Sequence, residues 1–288
     1  VGKACSIEVK EAYLHMLLFP NAKVNFGLNV LRKRADGYHD IATVMFPVKG
    51  LCDALEFVPA SRRDGFHLSG TAVPGPAEDN ICLKAVALLR RNFDIPPLGI
   101  YLHKAVPTGA GLGGGSANGA FMLKGLNTEF KLGLSDGELE SAAAELGSDC
   151  AFFVKNVPAL SEGRGEVLTP ISLDLNGMHI ALVHPGIHMA TGPAYAKIVP
   201  SEASESPAKT VMARPVSEWK DLLNNDFEAF AYETHPEIKR IRDAFYTAGA
   251  QYAAMTGSGS AVFGIFDGAP PADLETSMAP HFYHSSAL

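Results

Sequence analysis

The sequence predicts a two-domain α+β protein, and three observations carry that expectation. Its 288 residues suffice for one large domain or two compact ones. Strand-like segments in the first part of the chain meet at turns, as in hairpins and a meander, where a βαβ protein would alternate them with helices. The texture then changes beyond Gly165, so a boundary is expected between an N-terminal domain (16–165) and a C-terminal domain (166–288). Residues 1–15 lack the layout of a signal peptide and precede Met16, and are read as a segment foreign to the native frame.

From Leu17 to Val30 the pattern is that of a strand, with Lys23 and Asn25 on one face and Val24, Phe26 and Leu28 on the other. A charged turn, Arg32 to Asp40, follows on Asp36-Gly37. Ile41–Val48 and Leu55–Val58 read as further strands. Asn80 to Arg91 has Ile81, Ala85, Leu88 and Leu89 at helical spacing behind Asp79 or Asn80 as N-cap. Gly99–Ala105 is strand-like and runs into a glycine-rich stretch. A helix is expected over Ser116–Leu126. Another opens on the capping box Ser135–Glu138 and stops at Gly147.

Ile180–His184 reads as a short strand and Ser201–Lys209 as a polar loop. Ser217–Tyr232 and Pro236–Thr247 read as helices, the second with Pro236 in its first turn. Tyr252–Thr256 and Ala261–Phe266 read as a strand pair around the tight Gly257-Ser258-Gly259-Ser260 turn.

Composition narrows the function classes. Hydrophobic residues make up 47% and charged residues 19%, which argues against general disorder. The net charge of −7 disfavours non-specific nucleic-acid binding, which rests on many phosphate contacts. A few cations and backbone N–H groups still suffice for a phosphate-bearing small molecule. No apolar run reaches the roughly 18 residues of a membrane span. Cys5, Cys52, Cys82 and Cys150 form no C-x-x-C pair and no metal spacing with the histidines, so free thiols in a reducing, cytoplasmic setting are expected.

The chemistry concentrates in Pro107-Thr108-Gly109-Ala110-Gly111-Leu112-Gly113-Gly114-Gly115-Ser116. Five glycines in the seven positions 109–115 let a ligand approach the main chain. A helix beginning near Ser116 aims free N–H groups and its positive dipole end at the same point. Nucleotide phosphates are the natural occupant, and the Ser116 hydroxyl could hold a phosphate oxygen or magnesium. The stretch also satisfies G-x-G-x-x-G, but Pro107 interrupts the strand-to-turn junction and no βαβ pattern surrounds it, which counts against a dinucleotide site. A Walker-A loop is excluded, since no Lys precedes Ser116.

Lys23 inside an apolar strand is expensive unless its ammonium meets an anion; alone, it reads equally well as an exposed edge residue. Asp149 lies between a helix stop and the apolar Ala151–Val154, where a turn or capping role is the ordinary reading. Glycine loop, Lys and Asp taken together suit phosphoryl transfer: the loop holds ATP, the Lys offsets charge and the Asp polarises an acceptor hydroxyl.

NAKVNFGL, RADGYH, VPTGAGLGGGSANGA, LGSDCAFFV and TGSGSAVFG occur in the order found in the GHMP kinases, and the chain resembles that superfamily from about Leu17 to Phe266. RADGYH and GLGGGS resemble the branch whose acceptor carries a cytidine. The resemblance implies a ribosomal-protein-S5-like N-terminal domain, a ferredoxin-like C-terminal domain and an active site in the cleft between them. It implies ATP and magnesium, and a small-molecule acceptor, 4-diphosphocytidyl-2-C-methyl-D-erythritol, phosphorylated at its C2 hydroxyl for isoprenoid synthesis. The family's catalytic Lys and Asp fall on Lys23 and Asp149, and its ATP-phosphate loop on Pro107 through Ala117. Asn25, Tyr38 and His39 match its cytidine-binding positions, and Asn80 and Lys104 its adenine side. Gly257, Ser258 and Gly259 match the wall of the acceptor site. Ala117 stands where the family often has a second Ser, and Ala110 where Gly is common. A kinase acting on mevalonate, homoserine or a sugar is the nearest alternative, and a non-catalytic nucleotide sensor is the alternative from another class.

Overall fold

The computed structural model describes residues 16–60, 62–189, 191–201 and 205–288; residues 1–15, with Cys5, and part of the 201–209 stretch lie outside these. The first strands are β1 (Met16–Leu18), β2 (Asn21–Lys33), β3 (His39–Cys52), β4 (Ala54–Pro59), β5 (Gly65–Gly70) and β6 (Leu98–Lys104). The remainder are β7 (Ala159–Gly163), β8 (Val167–Pro170), β9 (His179–His184), β10 (Tyr252–Met255), β11 (Val262–Phe266) and β12 (Phe282–Ala287). Among the described residues they form three four-stranded sheets, ordered β1-β4-β6-β5, β2-β3-β7-β8 and β10-β11-β9-β12. Every pairing is antiparallel except β5 with β6.

Four helices belong with the first sheets: α1 (Ile81–Leu89), α2 (Gly114–Glu129), α3 (Asp136–Leu146) and α4 (Phe152–Lys155). Six follow: α5 (Thr191–Tyr195), α6 (Pro207–Ala213), α7 (Trp219–Leu222), α8 (Glu228–Thr234), α9 (Pro236–Thr247) and α10 (Leu274–Ser277). Asn80 is the cap of α1, its Oδ1 accepting the Cys82 N–H at 3.0 Å. The capping box of α3 is complete: the Ser135 N–H donates to Glu138 Oε2 at 2.8 Å and the Ser135 hydroxyl accepts the Glu138 N–H.

The polar loop expected over 201–209 ends early, because Pro207 opens α6, and two further expectations give way to tertiary structure. The strand expected over 17–30 is two strands on different sheets. Pro20 sits at the break, where it has no N–H for a ladder, while its carbonyl accepts the Asp53 N–H at 2.9 Å. The helix expected over 217–232 is interrupted between α7 and α8. There the main chain bonds to β2 instead, the Leu28 N–H donating to the Asn224 carbonyl and the Asp226 N–H to the Leu28 carbonyl. Asn225, in the same break, donates from Nδ2 to the carbonyls of Met255 and Gly257 at 2.9 Å each.

Helices α1, α2 and α3 cover one face of the first sheet, burying Leu55, Phe57, Leu98 and Ile100 against Val86, Met122 and Leu126. The second and third sheets share a core of their own. Val24, Phe26 and Val44 meet Ile180, Leu182, Phe263 and Ile265 there. Phe26 is its hub, with ring centroids 5.1 Å from Trp219 and 5.6 Å from Phe263. The chain passes from the second sheet to the third between Pro170 and His179.

Cys82 and Cys150 are buried free thiols and Cys52 is half-buried. Burial pushes the Cys82 thiol up to about 12 and that of Cys150 up to about 11. Burial thus keeps both thiols in the protonated, unreactive form at mildly alkaline pH. Iodoacetamide at that pH is therefore expected to alkylate Cys52 well ahead of Cys82 and Cys150 in the folded protein. Peptide mapping checks this, and equal labelling of the three would contradict it.

Candidate active site

β2 turns one face into the core with Val24 and Phe26 and so turns Lys23 and Asn25 the other way, beneath the glycine loop. Lys23 is almost fully buried. Its Nζ donates to Asn25 Oδ1 at 2.6 Å and lies 3.3 Å from Asp149 Oδ2. Asp149 follows the stop of α3 at Gly147 and precedes α4, with its side chain 32% exposed, so the ion pair has one screened and one open end.

The loop crosses directly over this pair. The Lys23 N–H donates to the Leu112 carbonyl at 2.9 Å, and Gly113 leaves no room for a side chain: a Cβ there would sit 2.9 Å from Lys23 Cγ. Gly113, with φ of 69°, is also the N-cap of α2, which opens two residues ahead of the expected start at Ser116. The loop is held to the third sheet as well, the Ala261 N–H donating to the Ala110 carbonyl at 3.1 Å. The Gly257–Gly259 turn closes the other side: Gly257 faces Gly111 and Asn25. Beside it, the Thr256 hydroxyl accepts the Asn25 N–H and donates to Asn25 Oδ1, each at 3.1 Å. Asn25 Nδ2 donates to the Thr43 hydroxyl, so every polar atom of that side chain is engaged.

Asn80, Lys104, Thr108, Gly115 and Ser116 line one cavity of about 320 Å³, walled on its apolar side by Phe66 and Leu68. The Thr108 hydroxyl is buried without a partner among the described residues. Lys104 Nζ pairs with the carboxylate of Asp53 and donates to Asn118 Oδ1 at 3.1 Å. Ala117 lies outside this cavity; its methyl packs with Met45, Phe152 and Phe153, where a hydroxyl would be buried among apolar groups. Pro107, buried, turns the chain from β6 into the loop, and Gly109 stands exposed at its outer edge.

His39 stacks on Tyr195 with ring centroids 4.7 Å apart and planes 12° from parallel. Tyr195 meets Phe227 edge-on. Burial and, secondarily, the Asp149 carboxylate push the Tyr195 phenol up. Tyr38 is 58% exposed beneath the Arg164 guanidinium, 5.0 Å from its ring centroid. Tyr195 and Arg164 escaped the sequence reading: a lone Tyr in a five-residue helix and an Arg in a hairpin turn carry no local signal. Among the described residues no group of three His, Cys, Asp or Glu side chains could hold a metal ion.

The family models for the GHMP kinases N terminal domain and GHMP kinases C terminal match residues 80–156 and 208–284. A Bacteroides fragilis protein named 4-diphosphocytidyl-2-C-methyl-D-erythritol kinase is 48% identical over 254 residues, 87% of this chain and 92% of that protein. The chain belongs to the GHMP kinase family. This kinase is likewise 47% identical to a Parabacteroides distasonis protein of the same name, over 88% of its own chain and 92% of the relative. A crystal structure of 4-(cytidine 5'-diphospho)-2C-methyl-D-erythritol kinase superposes with a TM-score of 0.74 at 28% identity, covering 95% of this chain and all of that one. Homoserine kinase from Cytophaga hutchinsonii superposes at 0.71 with 15% identity over 98% of this chain and 96% of the other, a likeness of fold alone.

Proposed function

We propose that this kinase transfers the γ-phosphoryl group of ATP to the C2 hydroxyl of 4-diphosphocytidyl-2-C-methyl-D-erythritol, a step of isoprenoid precursor synthesis outside the mevalonate route. The observation that carries the reading is the ion pair of Lys23 and Asp149, 3.3 Å apart, with the glycine loop bonded to Lys23 above it. Relatives bearing that enzyme's name, at 45–48% identity over most of the chain, favour the acceptor.

In this reading Asp149 takes the proton of the acceptor hydroxyl as it attacks, and Lys23 orients that carboxylate and offsets the charge that develops. The 107–117 loop and the free N–H groups of the first turn of α2 hold the ATP phosphates, with the orphaned Thr108 hydroxyl available to one of their oxygens. Asn80 and Lys104 flank the adenine end. The Ser116 hydroxyl, on the wall of the same cavity, would be the group that holds a magnesium ion brought in with the nucleotide, and the ion would offset phosphate charge there. Tyr38, His39 and Tyr195 grip the cytosine, while Asn25 and Gly257–Gly259 wall the acceptor. Residues 16–165 then form the catalytic domain and 166–288 the domain that closes the cleft. No helix among the described residues is long and apolar enough to cross a membrane, and we place the reaction in the cytoplasm.

An ATP-consumption assay across four acceptors tests this: the cytidylyl methylerythritol, mevalonate, homoserine and galactose. Turnover is expected with the first, and with the others at rates lower by about two orders of magnitude or more, since their binding leaves the base-recognising groups unpaired. Faster consumption with mevalonate or homoserine would overturn the acceptor.

A further inference from the structure

Asp53 lies between β3 and β4, away from every motif, and it is fully buried. Its Oδ1 accepts the N–H groups of Ala105 and Val106, each at 2.9 Å, at the point where the chain leaves β6 for the glycine loop. Its Oδ2 accepts Asn118 Nδ2 at 2.8 Å, from the helix that the loop feeds, and pairs with Lys104 Nζ. Lys104 Nζ completes the ring by donating to Asn118 Oδ1. One carboxylate thus ties both ends of the loop together and holds the cation on the cavity wall. Between these anchors the loop's main chain has few other bonds to the protein, among them those to Lys23 and Ala261.

We infer that Asp53 is the positioning residue of the nucleotide site, setting the span of the phosphate loop and the place of Lys104 beneath it. The ammonium lies 3.1 Å from where a Cβ on Gly114 would sit, directly under the first residue of α2. Without its counter-charge Lys104 would be an unpaired buried cation below a glycine turn, and the ladder from 105–106 to 118 would lose its shared acceptor. The inference rests on reading 107–117 as the phosphate loop.

Asp53→Asn separates this role from a general one, because it changes only one side of the hub. The amide oxygen still accepts from Ala105 and Val106, but the NH₂ group faces the donors of Lys104 and Asn118. Mg·ADP affinity of the folded variant is expected to fall by about tenfold or more, with the acceptor KM within about twofold. Amide hydrogen exchange over 106–118 should quicken while the third sheet is unchanged. The double variant Asp53→Asn/Asn118→Asp moves the carboxylate across the contact, so that Lys104 regains its partner and the amide at 53 regains an acceptor. It should recover Mg·ADP affinity to within about threefold of wild type, and it carries the test if the single variant does not fold. A double variant that folds but binds no better than the single one, or stays more than tenfold weak, overturns the inference. So does a folded Asp53→Asn that binds Mg·ADP like wild type, or that weakens both substrates equally. Wild-type protein that fails to bind Mg·ADP overturns the loop reading, and the inference with it.

Discussion

Asp149→Asn is expected to lower turnover by about two orders of magnitude or more, with nucleotide binding close to wild type. The amide has the shape of the carboxylate and cannot take a proton from the acceptor. It also turns either a dipole or an NH₂ group toward Lys23, whose ammonium lies 3.3 Å from Oδ2. Folding should survive, since the side chain is one-third exposed and the ammonium keeps its 2.6 Å bond to Asn25. The cavity lined by Asn80, Lys104 and Ser116 does not include Asp149, which is why kcat and not the ATP KM should carry the loss. Steady-state kinetics in both substrates, with Mg·ADP titration, read the split. Turnover within a few-fold of wild type would remove Asp149 from the role of base.

Gly111→Ala is expected to destabilise the protein by about 2–4 kcal/mol and to abolish most activity with it. A Cβ at 111 would stand 2.1 Å from the carbonyl oxygen of Thr256, a main-chain atom with no flexible end to move aside. The residue also has φ of +81°, a left-handed backbone that suits glycine. Relief would need the loop and the 257–259 turn to part, and they are two walls of the same site. Gly137→Ala supplies the contrast. It lies in the first turn of α3 with nothing within 4 Å of the added methyl, so a gain of roughly 0.5–1 kcal/mol is expected from helix propensity. Thermal melts of the two variants should move in opposite directions. A Gly111→Ala protein as stable as wild type would show that the two walls are not in contact.

What the sequence made legible was local. Ser135 with Glu138, Pro236, Gly147 and the Asp36-Gly37 turn each act within a few residues, and each appears where the pattern put it. The glycine loop stood out because glycine at this density costs backbone entropy, and Gly111 and Gly113 do take positive φ where a Cβ would strike the Thr256 carbonyl and Lys23. Lys23 was only half legible: alone it read equally well as an exposed edge residue, and its burial 3.3 Å from Asp149 comes from the fold. Asp53 was invisible: its partners lie at 104–106 and 118, and a single acidic residue between two strands reads as a turn. Tyr195 likewise acquires meaning only when His39 is folded against it. β5 went unseen because most of its residues are exposed, so no apolar alternation marks it. The 217–232 helix failed for the opposite reason. Its propensity was real, but Asn224, Asn225 and Asp226 found stronger partners in β2 and the 255–257 main chain.

The aromatic hub at Phe26 gives the molecule a mechanical character. Because the face of β2 opposite Lys23 is welded to the third sheet, prising the halves apart would wet the interior that keeps them folded. On the proposed reading, reactants come and go over the rim, past the segments around 38, 164 and 195, above a floor that this packing holds together.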